Sequence, residues 1–366
     1  MIWKRKDGVL HKFLQLAAWM CTFGMLLTTA GCEGRQAEET NRDSVMEVHF
    51  IDVGQGDATL VKCGSEALLI DAGDDTKGTL VQNYLRKQGV EKLDYLILTH
   101  PDSDHIGGAP VIVTKFDIEQ VLVSNYEKDN STYRKLMQAL DDKGLTAQTP
   151  EAGNTYELGG AMFTILGPVR EYDNPNDASV ALLLRNGKNR FLFTGDAEEA
   201  AECDMLDNGI PVRADVYQAG HHGSRTSSSE AFLDAATPSY AVISCAEGNS
   251  YGHPHAQTMN ALRSRGIQVF RTDEQGTIIA EADGERITWN CAPSDTWQAG
   301  EPTGSAKAET EAVQRQNEPS YVLNVKTKKF HRPDCSDLPT ANRQDTTAFR
   351  EEVIAQGYEP CKRCEP

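Results

Sequence analysis

One short apolar run constrains this chain more than any other feature, because it ends in a burst of polar ligands. Asp94-Tyr95-Leu96-Ile97-Leu98-Thr99 shows no apolar/polar alternation, so it reads as a strand buried on both faces. Such a strand needs packed layers above and below it. His100-Pro101-Asp102-Ser103-Asp104-His105 follows at once, then Ile106-Gly107-Gly108. A turn after a strand accounts for the proline and the aspartates. It does not account for two histidines flanking two carboxylates within six residues. Imidazoles and carboxylates together suit Zn²⁺ or Mn²⁺. His100, Asp102, Asp104 and His105 are therefore candidate ligands.

The same pattern recurs along the chain. Strands are expected at 48–53, 58–63, 67–71, 162–166, 180–184, 190–193, 215–218, 240–244, 269–271 and 277–280. Helical spacing marks 78–89, 130–141, 197–206, 229–236 and 256–265. This alternation predicts an α/β (α+β) architecture of sheets packed on each other and covered by helices. Two further strands end in potential ligands. Phe193-Thr194-Gly195 leads to Asp196, and Ala219-Gly220 leads to His221-His222-Gly223-Ser224. Three strand ends thus offer His, Asp and His, enough for one or two divalent ions if they converge. Ser224 and Ser227, in the hydroxyl-rich run that follows, are candidates to grip phosphate oxygens.

Taken in order, Phe50-Ile51-Asp52-Val53-Gly54-Gln55-Gly56-Asp57-Ala58, Asp71-Ala72-Gly73, Thr99 through Gly108, Thr194-Gly195-Asp196 and Gly220-His221-His222-Gly223-Ser224 resemble the metallo-β-lactamase superfamily. The similarity is greatest to the metallo-hydrolase domain of ComEC-type DNA-uptake proteins. The resemblance implies an αββα sandwich over about 46–292 with a metal site at one edge of the sheets. It implies that His100, Asp104, His105, Asp196 and one of His221 and His222 ligate, with Asp196 as a bridge and Asp71 behind the ligands. Asp102 stands where the broad superfamily has its second histidine. The separate histidine before the bridging aspartate is absent, and Asn176-Asp177-Ala178-Ser179 occupies roughly its place. Fewer nitrogen and more oxygen donors favour harder ions, which raises Mn²⁺ relative to Zn²⁺.

A divalent ion in such a site activates water at neutral pH. Asp102 or Asp104 would hold or deprotonate that water. Asp57, in a Gly-bracketed loop, is a candidate outer ligand or base. His253, in Tyr251-Gly252-His253-Pro254-His255, is a candidate proton donor to the leaving oxygen. These roles point to a metal-dependent phosphodiester hydrolase, with nucleic acid as the first substrate class. The alternatives are a non-nucleic ester, a phosphorylcholine ester or a lactone, and a nucleic-acid-binding accessory role. The formal charge of −18 repels phosphate backbones, so an anionic substrate needs positive charge supplied locally.

The two ends of the chain carry separate messages. Lys4, Arg5, Lys6 and Lys12 precede an apolar stretch from Phe13 to Ala30, then Gly31 and Cys32. This is the form of an export signal over 1–32. Its end resembles a bacterial lipobox, in which Cys32 would be lipidated. The expectation is an exported protein held by a lipid anchor at the outer face of the cytoplasmic membrane, or a secreted one. Residues 33–45 read as a tether and 293–319 as a linker. In the last block, 320–366, His331 and Cys335 are followed by Cys361-Lys362-Arg363-Cys364. His-x3-Cys and Cys-x2-Cys suit one closed tetrahedral Zn²⁺, which a unit this small needs as a staple. One disulfide is the alternative. The block resembles the Ada-type metal-binding domain, with His331 where that domain has its methyl-accepting cysteine.

Overall fold

The computed structural model describes residues 45–300, 321–346, 353–354 and 356–364. The expected signal with Cys32, nearly all of the tether, and the linker beyond 300 lie outside the described residues. Two compact units divide the chain. The larger holds the described residues up to Glu247 together with His253–Ala299, and the smaller holds Gly248–Gly252 and the part from Gly300 onward.

The larger unit contains two sheets. The chain first lays down β1 (Met46–Phe50), β2 (Thr59–Cys63), β3 (Glu66–Ile70), β4 (Lys92–Leu98), β5 (Asp117–Val123) and β6 (Ala147–Gln148). It then builds β7 (Thr155–Leu158), β8 (Ala161–Gly167), β9 (Ala181–Asn186), β10 (Asn189–Phe193), β11 (Val216–Gln218), β12 (Tyr240–Ile243) and β13 (Gln268–Arg271). β14 (Ile278–Ala282) and β15 (Ile287–Trp289) return to the first sheet. The orders are β15-β14-β1-β2-β3-β4-β5-β6 and β13-β12-β11-β10-β9-β8-β7. Pairing is antiparallel along β1-β2-β3 and β8-β9-β10, and parallel along β3-β4-β5 and β10-β11-β12-β13. Parallel neighbours need crossovers. On the first sheet the helices are α1 (Gly78–Lys87), α2 (Ser103–Ile106), α3 (Ala109–Lys115) and α4 (Ser131–Lys143). On the second they are α5 (Glu199–Asp207), α6 (Glu230–Ala236), α7 (Ala256–Ser264) and α8 (Thr272–Gln275).

Side-chain alternation sets the layers. Val48, Phe50, Leu68, Ile70 and Ile97 meet Phe163, Leu182, Phe191 and Phe193 in one core between the sheets. The opposite faces, Leu60, Leu69, Leu96 and Leu98, pack on Val81, Leu85, Ile112 and Leu140 of the helices. Leu192, Tyr217 and Ala241 do the same against Met205, Phe232 and Leu262. The result is an αββα sandwich, and β4 is buried on both faces as its composition requires. Phe50 and Phe193 stack across the sheets with centroids 6.2 Å apart. Truncating either costs about 3–5 kcal/mol.

Four strands that run parallel within their sheets, β3, β4, β10 and β11, deliver their following loops to the site. Ligands in open α/β sheets gather at such carboxyl ends.

The smaller unit is a four-stranded sheet of order β18-β16-β17-β19, from β16 (Tyr321–Asn324), β17 (Lys329–His331), β18 (Arg343–Thr346) and β19 (Glu359–Pro360). Its core is Leu323, Phe330, Val353 and Tyr358, with Tyr321 against them. So few side chains stabilise a fold poorly without a further cross-link.

Candidate metal centres

Two loops are locked together before any ligand is placed. Gly108 N–H donates to the Gly73 carbonyl (2.9 Å), and Ala72 N–H donates to the His105 carbonyl (2.8 Å). A Cβ on Gly108 would lie 2.1 Å from the Ala72 oxygen, so only glycine fits. Gly56 has φ +128°, and its Cβ would meet the Asp104 carbonyl at 2.3 Å. That contact lets Asp57 N–H reach the Asp104 carbonyl (3.2 Å) and turns the Asp57 side chain into the site. Asp71, His221 and His222 adopt left-handed backbone, with φ 56°, 52° and 56°. Each costs about 1–3 kcal/mol outside glycine, and such strain gathers at functional positions.

Four histidines are then oriented by one rule. His105 Nδ1 lies 2.8 Å from Asp71 Oδ2, an acceptor only, so it carries the proton. His222 Nδ1 donates to the Ser244 carbonyl at 3.0 Å. Thr99 Oγ1 donates to Asp71 Oδ2 at 2.7 Å, so it accepts from His100 Nδ1 at 3.2 Å. Thr226 Oγ1 donates to Glu198 Oε1 at 3.0 Å, so it too accepts, from His221 Nδ1 at 3.2 Å. In the neutral form every Nε2 is therefore a bare lone pair. All four point at one carboxylate: His105 Nε2 lies 3.2 Å from Asp196 Oδ1, and His100, His221 and His222 lie 3.7, 3.6 and 3.7 Å from Asp196 Oδ2.

Lone pairs aimed at a carboxylate repel it unless a cation lies between them. Three more observations fit a cation. Asp57 Oδ1, Asp196 Oδ1 and His100 Nε2 are buried with no hydrogen-bond partner. Asp57, His105, Asp196 and His222 present donor atoms all within 4.8 Å of one another. Asp104 adds a third carboxylate, its Oδ2 3.3 Å from His222 Nε2. Buried carboxylates at this density need a compensating charge. Burial works against charge on His105 and His222, yet Asp196 with Asp71 or Asp57 outweighs it and holds both pKa values well above the ordinary one. Burial favours neutral Asp196 as well, but the surrounding histidines keep it ionised.

The remaining expected site residues fall outside this group. The Asp102 carboxylate takes the Lys128 ammonium at 2.6 Å. Ser227 Oγ donates to the Ala197 carbonyl (2.8 Å), and Ser224 Oγ pairs with Thr226 Oγ1 (3.0 Å). Both serines are buried, so the expectation that they grip phosphate gives way to one in which they fix the loop. His253 stands beside the centre, its ring centroid 5.5 Å from His221 and 6.0 Å from His222. Gln55 Oε1 accepts from Ala246 N–H, so Gln55 Nε2 donates to His253 Nδ1 at 3.4 Å. The proton of His253 is thus on Nε2, opposite to the four ligand candidates. Burial, reinforced by His222 and His221, lowers its pKa to about 2, so it is a neutral donor at working pH.

Two residues that the pattern did not single out belong to the site. Glu198, two residues past Asp196, lies 3.3 Å from His221 Nδ1. Glu202 accepts Ser228 and Ser229 N–H groups at 2.6 and 2.9 Å, tying the hydroxyl-rich loop to α5. Both sit in an acidic helix start, which reads as ordinary N-terminal charge.

In the smaller unit, His331, Cys335, Cys361 and Cys364 also present atoms within 4.8 Å of one another. His331 Nδ1 is buried without a partner, and every described cysteine is free. Backbone N–H groups of Arg332, Asp337 and Arg363 reach Cys364, Cys335 and Cys361 Sγ at 3.4 Å each. Such N–H···S bonds support thiolate and orient it. The Arg363 N–H lowers the Cys361 pKa. The donor set fits a metal ion.

Residues 51–247, more than half of the chain, match the metallo-beta-lactamase superfamily, and the chain belongs to it. Within that superfamily its hydrolase domain is of the ComEC type. It is 31% identical over 257 residues to ComE operon protein 3 of Bacillus subtilis, covering 63% of this chain and 32% of that protein. It is 31% identical over 275 residues to Recombination protein 2 of Haemophilus influenzae, covering 73% and 32%. It is 32% identical over 238 residues to Competence protein ComA of Neisseria gonorrhoeae, covering 62% and 31%. The chain spans about a third of the length of these relatives.

Proposed function

We propose that this protein is an exported, metal-dependent phosphodiester hydrolase that acts on extracellular nucleic acid. The observation that carries the reading is Asp196, whose two oxygens face the Nε2 atoms of four histidines. A carboxylate so placed suits a bridge between two cations. Relatives named for competence and recombination make nucleic acid the first substrate class to test.

A divalent cation held by Asp57, Asp104, His105, Asp196 and His222, with His100 and His221 beside them, would acidify water and polarise the bond under attack. The protein's own contributions are distinct. Asp71, Thr99, Glu198 and the Ser244 carbonyl fix the four rings, so no rotation is needed as charge develops. His253 offers Nε2–H as a neutral donor to a substrate oxygen, and Gln55 holds it in that tautomer. On a chain of charge −18 the cations would also furnish the positive charge that draws phosphate in. The same net charge favours a second reading, a small phosphodiester or ester in place of a polynucleotide.

The same proposal has the chain exported and held by lipid on Cys32, and its last block an Ada-type module stapled by zinc. Incorporation of labelled palmitate that disappears in Cys32→Ala tests the first. For the activity, the full chain is chelated, resupplied with Mn²⁺ or Zn²⁺, and given single- and double-stranded DNA, RNA and an aryl phosphodiester, beside Asp196→Ala. Metal-dependent cleavage of polynucleotide that is lost in the variant supports the nuclease. Cleavage of the aryl ester alone supports the second reading, and no turnover with any metal defeats both.

A further inference from the structure

The superfamily's separate histidine is missing here, and the loop in its place has another task. Asn174 Nδ2 donates to Glu198 Oε2 at 3.1 Å, and Asn176 Nδ2 donates to Glu198 Oε1 at 3.3 Å. Thr226 Oγ1 adds a third donor to Oε1 at 3.0 Å. The Glu198 backbone N–H is itself held by Asp177 Oδ1 at 3.0 Å. The loop that lacks a ligand, between β8 and β9, thus grips a carboxylate that follows the neighbouring strand β10. That carboxylate faces His221 Nδ1 at 3.3 Å, and His221 Nε2 faces Asp196 Oδ2. The arrangement repeats Asp71 and His105 on the other side of Asp196.

We propose that Glu198, held by Asn174, Asn176 and Thr226, is the positioning residue that makes His221 a metal ligand and so replaces the missing histidine. His221 and His222 then both ligate, but on different sides of Asp196. His222 belongs with Asp57, His105 and Asp196, whose donor atoms cluster together. His221 and His100 lie outside that group; they share Asp196 Oδ2 with His222, so the clustering of donor atoms, not the oxygen contacted, separates the two sets. The left-handed backbone at both histidines lets neighbouring residues serve two positions. Acceptors behind ligand histidines fix their tautomer and are worth about 10–100-fold in metal affinity.

This inference rests on the reading that the centre holds divalent cations, and it does not depend on the substrate. Its test is Mn²⁺ binding to the full chain, counted by electron paramagnetic resonance, because thiolate clusters do not select Mn²⁺. Wild type is expected to bind two equivalents. His221→Ala and Glu198→Ala are expected to keep one and to weaken the other by roughly 10–100-fold. Glu198→Gln is expected to restore it, because the amide oxygen still accepts from Nδ1–H. If Glu198→Ala does not fold, Thr226→Val, which removes one hydroxyl, is expected to shift the same equivalent in the same direction. Two equivalents bound equally by wild type and Glu198→Ala would overturn the inference, as would a single equivalent in wild type. Two equivalents with the variant losses, but no phosphodiester cleaved, would support it and defeat the hydrolase reading alone.

Discussion

The larger unit draws Asp57, His105, Asp196 and His222 from four separate segments, each fixed at the end of a buried strand. The smaller unit draws His331, Cys335, Cys361 and Cys364 from two short turns beside a core of four side chains and Tyr321. In the first, three cores position the donors whether or not a cation is bound, and side chains such as Asp71 and Glu198 set the ring tautomers. In the second, the orienting groups are backbone N–H donors to sulfur, on turns that follow the short paired strands β17 and β19. Oxygen and imidazole donors suit exchangeable, reactive ions, and a His/Cys₃ set suits a closed structural one. The expectation that follows is that the fold makes the site in one unit and a bound ion secures the fold in the other.

The largest consequence of that contrast is a difference in unfolding. Chelation, or Cys361→Ser, is expected to unfold the smaller unit, since structural zinc carries about 10–16 kcal/mol of apparent binding energy. Limited proteolysis should then cleave within 320–366 while the larger unit stays intact. Equal sensitivity of the two units would erase the contrast. Next comes Asp196→Ala, expected to cut phosphodiester turnover by about a thousandfold, some 4 kcal/mol of transition-state stabilisation. Asp71→Ala is subtler, because it leaves the ligands in place and removes the group that fixes the His105 tautomer. Isothermal titration is expected to show metal affinity down by about 10–100-fold.

The histidines also set a pH dependence that belongs to the larger unit. His105 and His222 have folded pKa values well above 6.5. Their contribution to the metal-free form is complete below that value and is lost as pH rises through the raised one. Burial lowers His100 and His253 to about 3 and about 2, so unfolding takes up protons there and stability falls as pH drops below 6.5. Metal-free protein is therefore expected to be most stable near pH 6.5 in thermal melts, and Mn²⁺ to remove the alkaline decline. A decline unaffected by metal would place its origin elsewhere. The smallest effect is Ser227→Ala, which removes a buried bond to the Ala197 carbonyl and is expected to cost about 1 kcal/mol. Michaelis constants should not change. A raised one would return Ser227 to the substrate.

Much of this was legible in the sequence where burial and chemistry coincide. Asp94 to Thr99 declared a doubly buried strand, and the histidines and aspartates after it, Asp196, and His221-His222 marked the strand ends that meet. β5 escaped because Asp117, Glu119 and Gln120 interrupt its apolar residues, and β6 and β7 are too short to show a period. α3 was hidden by Pro110 at its start and by Val111 and Val113, which weaken helical propensity. Ile51 to Val53 extended the expected first strand, but β1 ends at Phe50, and Ile51 and Val53 pack into the helix-facing core. Side-chain partners were the least legible. Nothing local in the sequence says that Lys128 will take Asp102, that Ser227 will face inward, or that Asn174 and Asn176 will hold Glu198. Those contacts span 26, 30, 24 and 22 residues and depend on the fold having formed.

The central claim is that four imidazole lone pairs and one carboxylate are shaped around cations. It is tested most directly by anomalous diffraction at the manganese edge from crystals of the full chain grown with Mn²⁺. The account predicts density on both sides of Asp196, against His105 and His222 on one and against His100 and His221 on the other, and none at the cysteines. An Asp196 carboxylate bonded directly to protonated histidines, with no anomalous peak beside it, would contradict the account.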